Sequence, residues 1–154
     1  MSDNSLSIIS DSTNRTKEIG AQLGSRLKGG EAIELISDLG SGKTTFVKGL
    51  ADGSGSRELV SSPSFTICNE YACPKFKIYH FDFYRLNDPG IIKRELAEVV
   101  DEPSNVIVIE WPTVIENILP LSRLVITISV TKDDKRLIKI DYPKELNYLV
   151  EGLS

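Results

Sequence analysis

Ala32-Ile33-Glu34-Leu35-Ile36 leads through Ser37-Asp38-Leu39 into Gly40-Ser41-Gly42-Lys43-Thr44-Thr45, and Phe46-Val47-Lys48-Gly49-Leu50 follows directly. The first run is too short for a buried helix and is bounded by turn residues, so it reads as a central strand. The last run reads as the start of a helix. A strand feeding a glycine-rich turn into a helix is the context of a phosphate-binding loop: backbone N–H groups point inward, and the positive end of the helix dipole faces the bound anion. In such a loop Lys43 reaches the β and γ phosphates as a mobile charge, and the Thr44 hydroxyl completes the coordination of a bridging Mg²⁺. The strict pattern asks for glycine where Ser37 stands. Gly40 and Gly42, where backbone and phosphate come closest, are intact, so the nest is expected to survive. The plain alternative is a turn that merely joins strand to helix.

The chain has 154 residues, the size of one domain. Its net charge of −4 argues against a broad basic face that holds nucleic acid through its phosphates, so a role in RNA biology is expected to pass through protein partners. No stretch approaches twenty consecutive apolar residues, and Met1-Ser2-Asp3-Asn4-Ser5 lacks the basic and apolar regions of a signal peptide. A cytoplasmic protein with no membrane contact is the expectation. Cys68 and Cys73 stand without a second pair, which argues against a zinc site and for two structural thiols.

Leu6 to Ile9 is a short candidate strand, and Ser10-Asp11-Ser12-Thr13 is a cluster of helix-capping residues. Ile19, Leu23 and Leu27 recur at four-residue intervals and predict a helix over Asn14 to Leu27, stopped by Lys28-Gly29-Gly30. The helix after the phosphate loop is expected to end by Asp52-Gly53-Ser54-Gly55-Ser56. Phe65 to Tyr71 and Phe76 to Phe83 predict an antiparallel pair across Ala72-Cys73-Pro74-Lys75. Asn87-Asp88-Pro89-Gly90 initiates a helix over Ile91 to Val100. Val106-Ile107-Val108-Ile109 has the texture of a strand covered on both faces. Leu124 to Val130 and Arg136 to Ile140 predict a second pair across Lys132-Asp133-Asp134-Lys135, and Pro143 to Leu153 a closing helix. The expected fold is α/β: one P-loop NTPase-like domain in three layers, its core over residues 6–141, with a mixed central sheet that has a mainly parallel core plus antiparallel strands.

A phosphate loop needs a carboxylate for Mg²⁺, usually at the end of an apolar strand. Glu110 follows Val106 to Ile109, at the edge where ligands of open α/β sheets bind, so Glu110 and Thr44 are candidates to converge on one ion. The alternative is a solvated strand-end glutamate. Asp82, within Tyr79-His80-Phe81-Asp82-Phe83-Tyr84-Arg85, is the second candidate; its plain reading is a salt bridge to Arg85 or a turn cap. His80, the only histidine, reads as a hydrogen-bonded structural residue rather than a base. Ser61-Ser62-Pro63-Ser64-Phe65-Thr66 is either a switch segment that senses the γ phosphate or an ordinary lead into the next strand. Trp111 either stacks on a ligand or packs.

Asp38-Leu39-Gly40-Ser41-Gly42-Lys43-Thr44-Thr45, Ser62-Pro63-Ser64-Phe65-Thr66, Tyr79 to Arg85 and Glu110-Trp111-Pro112 come in an order that resembles the TsaE family, formerly YjeE. The resemblance runs from about Thr16 to Arg136, and the His-Phe-Asp-x-Tyr-Arg block is its most specific part. It implies an ATPase of bacterial tRNA threonylcarbamoyladenosine formation that hydrolyses ATP slowly alone and acts with TsaD and TsaB. It further implies that Thr16, Asp38, Leu39, Gly40, Ser41, Gly42, Lys43, Thr44 and Thr45 line the nucleotide. By the same resemblance Thr44 and Glu110 serve Mg²⁺, Lys43, Asp82 and Glu110 take part in hydrolysis, and Ser62, Ser64 and Thr66 form a switch. Two departures stand out: Ser37 replaces the family's first loop glycine, and Gly90 to Leu96 is less acidic than the family's usual segment. Two other functions compete. A small-molecule kinase needs an arginine-bearing lid, but Arg85, Arg94, Arg123 and Arg136 are scattered. A nucleotide-gated binding module would bind ATP without turning it over.

Overall fold

Alternating burial along positions 124–129 and unbroken burial along Asn105–Glu110 mark two kinds of strand, one covered more fully on a single face and one covered on both. In the computed structural model of the chain, which describes residues 4–37, 42–57, 68–82, 89–110 and 119–154, both belong to one sheet. The elements are β1 (Asn4–Ser10), α1 (Thr13–Gly24), β2 (Ala32–Ser37), α2 (Lys43–Gly53), β3 (Cys68–Ala72), β4 (Lys77–Asp82), α3 (Pro89–Val100), β5 (Asn105–Glu110), β6 (Leu124–Val130) and β7 (Arg136–Tyr142). The 3₁₀ turn Lys144–Leu146 and the one-turn helix α4 (Asn147–Val150) follow.

The seven strands lie in the order β1-β7-β6-β2-β5-β4-β3. β6, β2, β5 and β4 are mutually parallel, while β7 and β1 on one side and β3 on the other run antiparallel to their neighbours. This is the mixed sheet with a mainly parallel core that the sequence predicts. On one face Ile33, Leu35, Val106, Val108 and Ile126 pack against Ile19 and Leu23 of α1 and Phe46, Val47 and Leu50 of α2. On the other face Ala32, Phe81, Ile107 and Ile109 pack with Leu96 of α3 and Leu119. Glu34, buried in β2, lies 3.8 Å from the guanidinium of Arg123.

Several expected boundaries move: β1 and β7 extend to Asn4–Ser10 and Arg136–Tyr142, and α3 begins at Pro89. Helix α1 ends at Gly24 rather than Leu27, because Arg26 N–H bonds the Leu23 carbonyl in a tightened turn, and Gly29 and Gly30 then reverse the chain at φ of 110° and 89°. Leu27 is still buried, but beyond the helix. The β3–β4 hairpin runs over Cys68–Ala72 and Lys77–Asp82; positions 65–67 and 83 of the expected strands lie outside the described residues. The closing helix over Pro143 to Leu153 is corrected to two short pieces. Arg26 donates to the carbonyls of Leu149 (3.1 Å) and Glu151 (2.6 Å), and the chain then turns through Gly152 at φ 72° to bury Leu153. Tyr148 ties this segment down by donating to Glu31 at 2.6 Å. Among the described residues no helix is long and apolar enough to cross a membrane.

Helices α1 and α2 touch backbone to backbone. Gly20 and Gly24 face Phe46 and Leu50, while Gly49 and Gly53 face Lys17 and Ala21, and a Cβ on any of the four would collide with a carbonyl oxygen of the other helix. Neither partner atom is a flexible side-chain end, so the helices would have to separate. Gly49→Ala is expected to lower stability by about 1–3 kcal/mol, measured by urea unfolding. Lys48→Ala, on the exposed side of the same helix, should stay within about 0.5 kcal/mol.

Candidate phosphate and metal site

Parallel strands bring their carboxyl ends to one edge, and that edge is where α/β folds hold ligands. Here Ser37, Asp82 and Glu110 end β2, β4 and β5 side by side: Glu110 is in register with Leu35 on one neighbour and with Asp82 on the other. The chain leaves β2, and α2 begins at Lys43 with Gly42 as its N-cap at φ 107°, ψ 17°, a left-handed conformation that suits glycine. Positions 38–41 lie outside the described residues. Ser37 is an ordinary strand residue, paired with Ile128 and at no positive φ, so the missing glycine imposes no backbone demand there.

Glu110 is 4% exposed. Burial pushes its carboxyl up, but His80, then the Lys43 ammonium, then a hydrogen bond with Asp82 outweigh burial, and the net effect holds Glu110 below the usual carboxylate range. Lys43 is itself buried, at the first turn of α2. Three of the sequence candidates, Lys43, Asp82 and Glu110, are therefore in one electrostatic cluster, and Thr44 occupies the same helical turn as Lys43. The solvated alternative for Glu110 is excluded by its burial. Arg85, the partner considered for Asp82, lies outside the described residues, as do Ser62, Ser64, Thr66 and Trp111.

The contacts expected of a hydrogen-bonded structural His80 are present and fall beside Glu110. His80, read as structural, lies with Nε2 3.3 Å from Glu110 Oε2 and Nδ1 3.4 Å from the Tyr71 hydroxyl. A cavity of about 310 Å³ opens beside the N-terminus of α2, lined by Ser12, Thr13 and Thr16 of the α1 end, Gly42 and Thr45 of the α2 end, and Arg136. Thr16 is buried there, its hydroxyl 2.7 Å from that of Ser10. Ser10 and Arg136 reach this cavity because β1 and β7 pair them in register, a relation between distant positions that no local spacing announces.

Fold and site define a three-layer α/β protein whose candidate site lies between the N-terminus of α2 and two strand-end carboxylates. A family model described as threonylcarbamoyl adenosine biosynthesis protein TsaE matches residues 10–138. The chain is similar to the Bacillus subtilis (strain 168) tRNA threonylcarbamoyladenosine biosynthesis protein TsaE, with 40% identity over 79% of this chain and 75% of that one. It is also similar to the Rickettsia bellii protein of the same name, with 34% identity over 86% and 92%. The crystal structure of Bacillus subtilis YdiB superposes with a TM-score of 0.82 at 34% identity, covering 97% of this chain and 94% of that one. The chain belongs to the TsaE family.

Proposed function

We propose that the chain binds ATP with Mg²⁺ and hydrolyses it slowly, in support of the threonylcarbamoyl modification of tRNA adenosine, together with TsaD- and TsaB-type proteins. Family membership and the names of its relatives support the pathway. The observation that carries the chemistry is Glu110, buried at the carboxyl end of β5 in register with Asp82 and within electrostatic reach of Lys43 at the start of α2. A cytoplasmic site of action goes with this reading.

Among the described residues no group of three or more His, Cys, Asp or Glu side chains is placed to hold a metal alone. Two hard carboxylates and the Thr44 hydroxyl fit Mg²⁺, which takes one or two carboxylates and fills its shell with phosphate oxygens and water. When bound, Mg²⁺ neutralises charge on the β and γ phosphates and polarises the phosphoryl oxygens. Thr44 and Glu110 hold it. Gly42 and the first turn of α2 direct backbone N–H groups at the phosphates, and Lys43 turns from the carboxylates towards the γ phosphate. Asp82, less buried than Glu110, orients the attacking water by accepting a hydrogen bond from it. Water attacks the γ phosphorus, the bond to the bridging β–γ oxygen breaks, and ADP and phosphate leave. The cavity between α1 and α2 takes the nucleoside. The net charge of the chain leaves tRNA contact to the partners.

Turnover of ATP, measured with and without a TsaD–TsaB complex, is expected to be low for the native chain alone and to rise with the partners. Glu110→Ala should lose turnover while still binding nucleotide; unchanged partner-stimulated turnover would remove Glu110 from the mechanism. Lys43→Ala should weaken ATP binding by about tenfold or more, because a charge-assisted contact of roughly 1.5–3 kcal/mol is lost. Equal nucleotide titrations for mutant and native protein would refute that role. Thr13→Trp, at an exposed position of the cavity wall, should weaken ATP about tenfold (~1.4 kcal/mol) and leave inorganic triphosphate unaffected.

A further inference from the structure

Tyr71, His80 and Glu110 sit on three adjacent strands and share one sheet face. The register fixes this: Tyr71 is opposite Ile78, His80 opposite Val108, and Asp82 opposite Glu110, so each residue of the row is displaced by two positions from its neighbour. Such diagonal neighbours are within reach of long and aromatic side chains. The imidazole of His80 is 1% exposed, and its two nitrogens face the Tyr71 hydroxyl at 3.4 Å and Glu110 Oε2 at 3.3 Å. A phenol that donates to Nδ1 selects the tautomer whose proton is on Nε2, facing the carboxylate. That Nε2 is close to Oε2 but off the line of a straight hydrogen bond, and a buried donor left in this state is costly. A small rotation of the carboxylate completes the bond, so the ring favours one orientation of Glu110 over others.

We propose that His80 is a positioning residue for Glu110, set in turn by Tyr71: the imidazole N–H holds one carboxylate oxygen and leaves the other turned to the divalent cation. This rests on the proposed role of Glu110 at the metal. Groups that orient a ligating carboxylate change metal affinity by about 10- to 100-fold when removed. The pair contributes nothing to phosphate binding itself, which belongs to α2. His80 and Tyr71 therefore separate metal-dependent from metal-independent nucleotide affinity, a distinction that loss of packing would not make.

The test is titration calorimetry of ATP into the full chain, once with Mg²⁺ and once with EDTA, for the native protein, Glu110→Ala, His80→Phe, His80→Gln and Tyr71→Phe. His80→Phe keeps an aromatic ring of similar size, His80→Gln restores an N–H near the Nε2 position, and Tyr71→Phe removes one oxygen. Native protein should bind ATP more tightly with Mg²⁺, and Glu110→Ala should lose that gain. His80→Phe should lose about tenfold of it, His80→Gln should recover most of it, Tyr71→Phe should lose a smaller part, and the His80 and Tyr71 variants should match the native affinity in EDTA. A native-like gain from Mg²⁺ in His80→Phe, with the gain lost in Glu110→Ala, overturns the positioning role and leaves the metal site standing. A native protein without any gain, or an unaffected Glu110→Ala, overturns the metal reading and this inference with it. Should His80→Phe melt far below the native protein, the His80→Gln and Tyr71→Phe titrations decide: a native-like gain in Tyr71→Phe together with none in His80→Gln counts against the relay.

Discussion

Glu110 ends a strand whose six residues are all buried, so its carboxylate is withdrawn from water before any ligand arrives. An ionised carboxylate in such a place costs several kcal/mol unless charge and hydrogen bonds compensate for lost hydration. The compensation comes from three residues on two elements: His80 and Asp82 on β4, and Lys43 on α2. Because β4, β5 and β2 run parallel, their ends open on the same edge, and Lys43 at the start of α2 acts on Glu110 there. Reversing any one of these strands would strand the carboxylate. The site and the parallel core are thus one arrangement seen at two scales.

The position of Lys43 depends on where α2 lies, and α2 is placed by α1. Four glycines let the two helices approach until carbonyl oxygens fill the space that a methyl group would need. The same approach brings Thr16 against Gly42: a Cβ on Gly42 would stand 3.8 Å from the Thr16 methyl. Interiors packed this closely transmit displacement rather than absorb it. A change at the far end of α1 therefore moves the wall of the cavity and the first turn of α2 together.

What was legible in the sequence was whatever a local pattern encodes. The run Leu124 to Val130, bounded by a polar turn, matched β6 to the residue, unbroken β-branched texture placed β5 to within one residue at each end, and glycine before lysine placed the start of α2. The early end of the C-terminal segment was not legible, since the carbonyls of Leu149 and Glu151 are taken by Arg26, more than a hundred positions away. The contact of His80 with Glu110 was hidden for the same reason: it follows from register between β4 and β5, and a lone histidine among aromatics carries no sign of it. Glu34 in an apolar strand makes sense only once Arg123 is beside it.

The charges at the strand ends also bear on why a lysine is not enough. With ATP bound as proposed, Lys43 is one positive charge set against the Glu110 carboxylate, and a polyphosphate at the start of α2 brings several more negative charges to the same few ångströms. At an effective dielectric of about 20, two like charges roughly 4 Å apart repel by about 4 kcal/mol. Lys43 cannot neutralise carboxylates and phosphate together; moving it to the phosphate leaves Glu110 with only His80 and Asp82. On the proposed reading a divalent cation resolves this, because it satisfies carboxylate and phosphate at once and frees the lysine. The Glu110 carboxylate then couples the two ligands: the cation offsets the repulsion between carboxylate and phosphate, so nucleotide binds more tightly with the metal than without it.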